Sequence, residues 1–429
     1  MSFTCALFHH ARAARRHALR PYRRALVSTG GFIALLFGAI ITACGGNDEP
    51  DYADAMRDAM LAQMQTDRVP GALVYVNHPQ RGAWRAALGH ADFNGATLDI
   101  DSHMRVGSVT KTMVATAVLI AVDRQLVGLE TPIETYLPGV VPHGNLITVH
   151  HLLDHTAGLF NNTEDDDFNA ELDRDPFQVF TLGQLLATAF GHTAYFVPGP
   201  ECVARDADPA REPCFHYSNT NYLVLGMLLE KVTGMAAEQV VHDWVFAPLG
   251  MNHTSIPPLP SAALPTPHPH GYLWGTNVQS NEAYKALIAG HPENSIIVVP
   301  PGTPPFDATD WNPGYTWTSG SAISTLADLV IWAKEVATGS LLTRQTQQLR
   351  LQLNPRSGYG LGVVHVLPGF FGHNGAIPGF QTNIGYAPDT GASFVVITNS
   401  EIAPNLPLQD ALTAVNLTTV IQRQVFPAN

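Results

Sequence analysis

Basic residues and the common nucleotide and hydrolase signatures are scarce in this chain of 429 residues. Lysine and arginine total 23 against 36 aspartates and glutamates, which speaks against nucleic acid or an anionic membrane surface as partner. No G-x-S-x-G elbow occurs, which argues against an α/β-hydrolase. No P-loop or dinucleotide fingerprint is present. His150, His151 and His155 include an i, i+4 pair, but Leu152 stands where H-E-x-x-H needs its glutamate, which argues against zinc. Neither metal nor cofactor is therefore expected. Cysteine is rare as well: of four, only Cys202 and Cys214 follow Cys44.

Acid is also missing from the first 43 residues, which hold six arginines (Arg12, Arg15, Arg16, Arg20, Arg23 and Arg24) before a largely apolar run from Ala25 to Ala43. A basic n-region and an apolar h-region predict a secretory leader over 1–43. Its end, Ile41-Thr42-Ala43-Cys44-Gly45, resembles a bacterial lipobox, with Cys44 as first mature residue and lipid acceptor. An ordinary signal peptide and a single membrane anchor are the alternatives. Without the leader the charge falls to about −19. Glu164 to Asp167 and Asp206 to Asp208 read as solvated loops. In an exported chain, Cys202 and Cys214 are expected to form a disulfide. It would restrain the segment entering Tyr217.

The rest exceeds the usual size of one core, which predicts two packed lobes. Strands are expected over 71–77 and 83–88, and again over 359–366, 381–386 and 393–398. Helical spacing marks 51–65, 182–190, 221–233 and 236–246. Residues 257–315, rich in proline, glycine and asparagine, read as a long loop or lid. A final helix is expected over 408–425. Strands at both ends with helices between predict an α+β fold. An antiparallel sheet would come from 51–107 and 316–429, and a mostly helical lobe from 108–315.

Three local patterns carry chemistry. Ser108-Val109-Thr110-Lys111 opens an apolar helical run, so Lys111 can reach back one turn to the Ser108 hydroxyl. A serine becomes a competent nucleophile when a neighbour takes its proton. The helix start adds free N–H groups suited to an oxyanion. Against this stands an N-capped helix with a solvated lysine. Tyr217-Ser218-Asn219 and His373-Asn374-Gly375 follow downstream. Tyr217 can share proton transfer, with a core tyrosine as its plain alternative. Asn219 can hold the substrate amide or Lys111, or else cap the helix from Asn221. His373 is expected to enter the cleft and orient the substrate carboxylate or the tyrosine hydroxyl, so that activity falls as pH drops through about 6.5.

In this order the three motifs resemble the serine β-lactamase and penicillin-binding superfamily, over roughly residues 55 to 425. The histidine form is closest to D-Ala-D-Ala carboxypeptidases and class C β-lactamase-like hydrolases. Leu152 to Leu159 and Ser324 to Leu329 also look like that family. The resemblance implies a β-lactamase/DD-peptidase fold and an acyl-enzyme on Ser108, with Lys111 and Tyr217 as the other catalytic residues. It also implies an oxyanion hole from the N–H groups of Ser108 and Ala376. Asn374 departs from the hydroxyl residue that relatives use for the substrate carboxylate. A D-Ala-D-Ala carboxypeptidase-like serine hydrolase is the leading expectation. A class C-like β-lactamase, a short-chain esterase and a non-turnover penicillin-binding sensor are the rivals. A monomeric, lipid-anchored envelope protein acting on a small molecule or a peptidoglycan peptide completes the expectation.

Overall fold

The computed structural model describes residues 49–427 apart from 209 and 212. The expected leader and Cys44 lie outside the described residues. Six strands form one antiparallel sheet: β1 Gly71–His78, β2 Gly82–Gly89, β3 Val364–Leu367, β4 Phe370–Ile377, β5 Phe380–Ala387 and β6 Ala392–Thr398. Their spatial order is β2-β1-β6-β5-β4-β3, so N-terminal and C-terminal strands meet where β1 pairs with β6. Pro388 to Gly391 turn between β5 and β6, and Gly391 adopts the left-handed conformation (φ +80°) that a tight hairpin needs.

Period-two alternation sorts the β1 side chains between two cores. Ala72, Val74 and Val76 pack beneath helices α1 (Ala53–Asp67) and α5 (Thr413–Val425), with Met56, Met60, Met64, Leu417 and Ile421. Leu73 faces the other way, into the core shared with α2 (Val109–Asp123), α3 (Asn219–Thr233) and α4 (Leu326–Thr338). Helix α2 is buried all round from Val109 to Ala121, the pattern of a central helix. It is tied to α4 by the Trp332 indole, which donates to Thr112 Oγ1 at 2.7 Å.

Several sequence expectations are corrected. Residues 257–315 are not structureless. They contain a helix over Asn277–Ile288 and a ribbon pairing Tyr272–Leu273 with Phe306–Asp307. The helix buries Ser280 and Asn281 beside Ala283 and Tyr284, so its inner face carries little apolar signal. The expected helix over 236–246 changes pitch at Val241 into a π turn over His242–Phe246. The strand expected from Tyr359 begins only at Val364, because Gly362 (φ +72°) bends the chain where a Cβ would lie 2.4 Å from that of Ala115. Thr325 caps α4, accepting the Asp328 N–H.

Candidate active site

Ser108 stands at the start of α2 without capping it, and Lys111 one turn later is wholly buried. The capped helix with a solvated lysine is therefore excluded. Lys111 Nζ lies 3.0 Å from Ser108 Oγ, 2.6 Å from Asn219 Oδ1 and 2.7 Å from the Ser319 carbonyl oxygen. It also sits over the Tyr217 ring, 4.8 Å from its centroid. No carboxylate contacts it among the described residues. Burial alone pushes the ammonium well below the ordinary lysine range. The Asn219 and Ser319 oxygens can only accept, so they take two N–H bonds. A neutral amine then turns its lone pair to the Ser108 hydroxyl, which donates to it.

The Asn219 amide is held in one sense. Its Nδ2 donates to Thr163 Oγ1 at 2.9 Å, and its backbone N–H donates to Asn161 Oδ1 at 3.0 Å. Asn219 is the first residue of α3 and Ser218 occupies the cap position, so Asn219 is not the cap of a helix beginning at Asn221. The supporting loop corrects another expectation. Glu164 is buried rather than solvated, accepting from Asn161 Nδ2 and Tyr195 and paired with His216. Asp206 accepts the Cys214 N–H at 2.8 Å. Cys202 and Cys214 are joined as a disulfide, which closes this loop ahead of Tyr217.

Gly107 and Gly375 bring two backbones into contact. A Cβ on Gly375 would fall 2.0 Å from the Val106 carbonyl oxygen and 2.8 Å from Ser108 N. One on Gly107 (φ +54°) would fall 2.6 Å from Ala376 N. The Ser108 and Ala376 amides thus sit on adjoining strips of backbone. Strand β3 pairs with β4 only as far as Gly372, so among the described residues Asn374 to Ile377 have no strand partner on that side. A chain edge of this kind suits an extended substrate.

The structure gives His373 a different partner from the one expected. Its Nδ1 donates to the Asn374 carbonyl oxygen, and its Nε2 accepts the Tyr359 hydroxyl at 2.9 Å. Its ring centroid is 6.4 Å from that of Tyr217. Burial takes its pKa down to about 3, so the imidazole is neutral. Tyr359, Ser319, Thr163 and Asn161 were not singled out in the sequence. Asn161 to Glu164 form a polar run in which every residue is buried, a feature that side-chain polarity alone hides. His150 pairs with Glu130, whereas His155 lies buried against Tyr217, so these two histidines do not share a site. Among the described residues no three His, Cys, Asp or Glu side chains gather as a metal site.

An antiparallel sheet with terminal helices on one face, and a buried Ser–Lys pair at the start of a central helix, define the β-lactamase/DD-peptidase fold. The chain belongs to the beta-lactamase family, whose model matches residues 56–416. It is 27% identical to a D-stereospecific amidohydrolase from Streptomyces sp., with a TM-score of 0.69, covering 88% of this chain and 100% of that one. It is 24% identical over 307 residues to the putative penicillin-binding protein PbpX of Bacillus subtilis, covering 71% of this chain. The match spans 63% of that relative, under two thirds of its length. It is 38% identical over 112 residues to the esterase EstB of Burkholderia gladioli, covering 24% of this chain and 29% of that one. The chain is thus a hydrolase-type member of the serine β-lactamase and penicillin-binding superfamily.

Proposed function

We propose that this protein is a serine amidohydrolase of D-configured substrates, D-Ala-D-Ala carboxypeptidase-like in its chemistry, working through an acyl-enzyme on Ser108. The observation that carries this reading is the buried Lys111 amine, 3.0 Å from Ser108 Oγ and without a counter-ion. Lys111 accepts the hydroxyl proton as Oγ attacks the substrate carbonyl carbon. The developing oxyanion is received by the N–H groups of Ser108 and Ala376. Tyr217 and Lys111 return the proton to the leaving amine, and the C–N bond breaks to leave the ester. Water then attacks that ester, giving its proton to the same pair, and Ser108 is released with its hydroxyl restored.

D-configuration is favoured by the Streptomyces neighbour, whose name specifies it and whose whole length this chain covers. A second reading, short-chain esterase, draws on Asn374, which replaces the hydroxyl residue for a substrate carboxylate, and on the similarity to EstB. Steady-state hydrolysis of D-alanine amide, a D-Ala-D-Ala peptide, nitrocefin and p-nitrophenyl butyrate by one purified sample separates these. Turnover of the first two, lost in Ser108→Ala, supports the amidohydrolase. Turnover of the butyrate ester alone supports the esterase. A burst of penicillin labelling without turnover would leave a sensor. The basic leader and Cys44 support export with a lipid anchor. Fractionation of Cys44→Ala tests it, the expected result being release from the membrane.

A further inference from the structure

One histidine outside the three motifs grips the Tyr217 segment at three consecutive residues. The His155 carbonyl oxygen accepts the His216 N–H at 3.1 Å. Its ring Nδ1 accepts the Ser218 N–H, also at 3.1 Å. Between these two bonds the imidazole stacks on the Tyr217 ring, with centroids 4.2 Å apart and planes 29° from parallel. Tyr359 meets the same imidazole edge-on at 4.7 Å, and Asn221 Nδ2 donates to its Nδ1 at 3.1 Å.

The tautomer follows from these partners. A backbone N–H can only donate, so His155 Nδ1 carries no proton, and the neutral ring holds its proton on Nε2. That nitrogen is buried and has no hydrogen-bond partner among the described residues. Burial, reinforced by Lys111, His373 and His216, keeps the ring neutral. His155 also adopts φ +62°, a conformation that glycine or asparagine would take with less strain. A turn alone does not call for a buried, half-satisfied imidazole at a left-handed position. Gripping the catalytic tyrosine on both sides of its Cα and on its ring face does.

We propose that His155 is the positioning residue of Tyr217, fixing the ring against Lys111 Nζ, which lies 4.8 Å from its centroid. This rests on the reading of Ser108, Lys111 and Tyr217 as the acyl-transfer set. His155→Ala removes the stacked face and the Ser218 acceptor. His155→Asn keeps an acceptor and tolerates the backbone conformation. The assay is p-nitrophenyl butyrate hydrolysis, normalised to the sites that a fluorophosphonate labels, so that misfolded protein is not counted. His155→Ala is expected to lower kcat per labelled site about 10- to 100-fold with KM within about twofold. His155→Asn is expected to recover part of that loss yet stay about threefold or more below the parent protein. Parental kcat per labelled site in both variants, or a rise in KM alone, overturns the inference. If His155→Ala gives no folded protein, His155→Asn decides by the same criterion, parental kcat overturning the inference. Ser108→Ala separates the two levels. Turnover persisting there removes the acyl-enzyme reading, whereas its loss beside parental His155 variants removes only the role of His155.

Discussion

The Tyr359 hydroxyl donates to His373 Nε2 at 2.9 Å, so the histidine of the third motif is engaged by a tyrosine from another segment. Removing that hydroxyl in Tyr359→Phe leaves a buried acceptor unpaired, which costs about 1–3 kcal/mol. A lowered melting temperature is expected, with a smaller fall in kcat/KM than His373→Ala produces. Thermal melts and steady-state kinetics on both variants check this. An unchanged melting temperature in Tyr359→Phe would contradict the assigned bond.

The pH response follows from groups held out of water. Burial takes His373 down to about 3 and His155 well below its ordinary value. Both folded values lie below the unfolded one, about 6.5, so the unfolded chain binds protons that the folded chain refuses. The His373 contribution is present above about 6.5 and is lost as pH falls towards 3, and that of His155 is lost in the same direction. The activity loss near pH 6.5 that a cleft-facing His373 would give is therefore not expected.

Glu401 acts with the opposite sign. It is fully buried, both its carboxylate oxygens lack hydrogen-bond partners among the described residues, and burial raises it to about 7. The folded chain keeps a proton that the unfolded chain releases above about 4.5, so stability from this group declines as pH rises through 7. The penalty reaches about 3 kcal/mol at pH 8. Glu401→Gln is expected to raise the melting temperature at pH 8 and to change it little at pH 4. Melts across that range test it, and a lowered value at pH 8 would count against the assignment.

The sequence made some parts of this molecule legible and concealed others, for physical reasons. The Ser108–Lys111 pair was readable because helical spacing alone brings i and i+3 together. Strands β1, β5 and β6 were readable because segments holding β-branched and aromatic side chains end at turn residues, whereas β2, with no β-branched residue, was readable only as the partner of β1. Asn161 to Glu164 were hidden, since side chains typical of a solvated loop here face one another around Asn219. Tyr359 was hidden because its partner His373 is fourteen residues away across a glycine-bent segment.

The disulfide offers a test of the loop before the second motif. Cys202 and Cys214 enclose twelve residues of separation, and on the chain-entropy model such a link stabilises by about 3 kcal/mol. The double variant Cys202→Ser with Cys214→Ser is expected to melt at lower temperature. The parent treated with reductant should move to the same value, while the double variant should not respond. A parent that melts identically with and without reductant would show that this link does not bear on stability.

Gly375 carries the sharpest steric prediction. The atoms that a Cβ would meet there are the Val106 carbonyl oxygen at 2.0 Å and Ser108 N at 2.8 Å, both backbone. No side-chain rotation relieves such a clash, so in Gly375→Ala β4 must move away from the start of α2. The move separates the Ala376 and Ser108 amides, the proposed oxyanion hole, and losing one such donor is expected to lower rate by about 10²- to 10³-fold. Gly372→Ala is the control: its Cβ would meet the Ile384 carbonyl oxygen at 1.9 Å, within the sheet rather than at Ser108. Both variants should melt at lower temperature. Only Gly375→Ala should lose turnover per folded molecule by that factor, measured as kcat after correcting for the folded fraction by circular dichroism. Equal losses in the two variants would assign Gly375 to sheet packing and detach it from the oxyanion site.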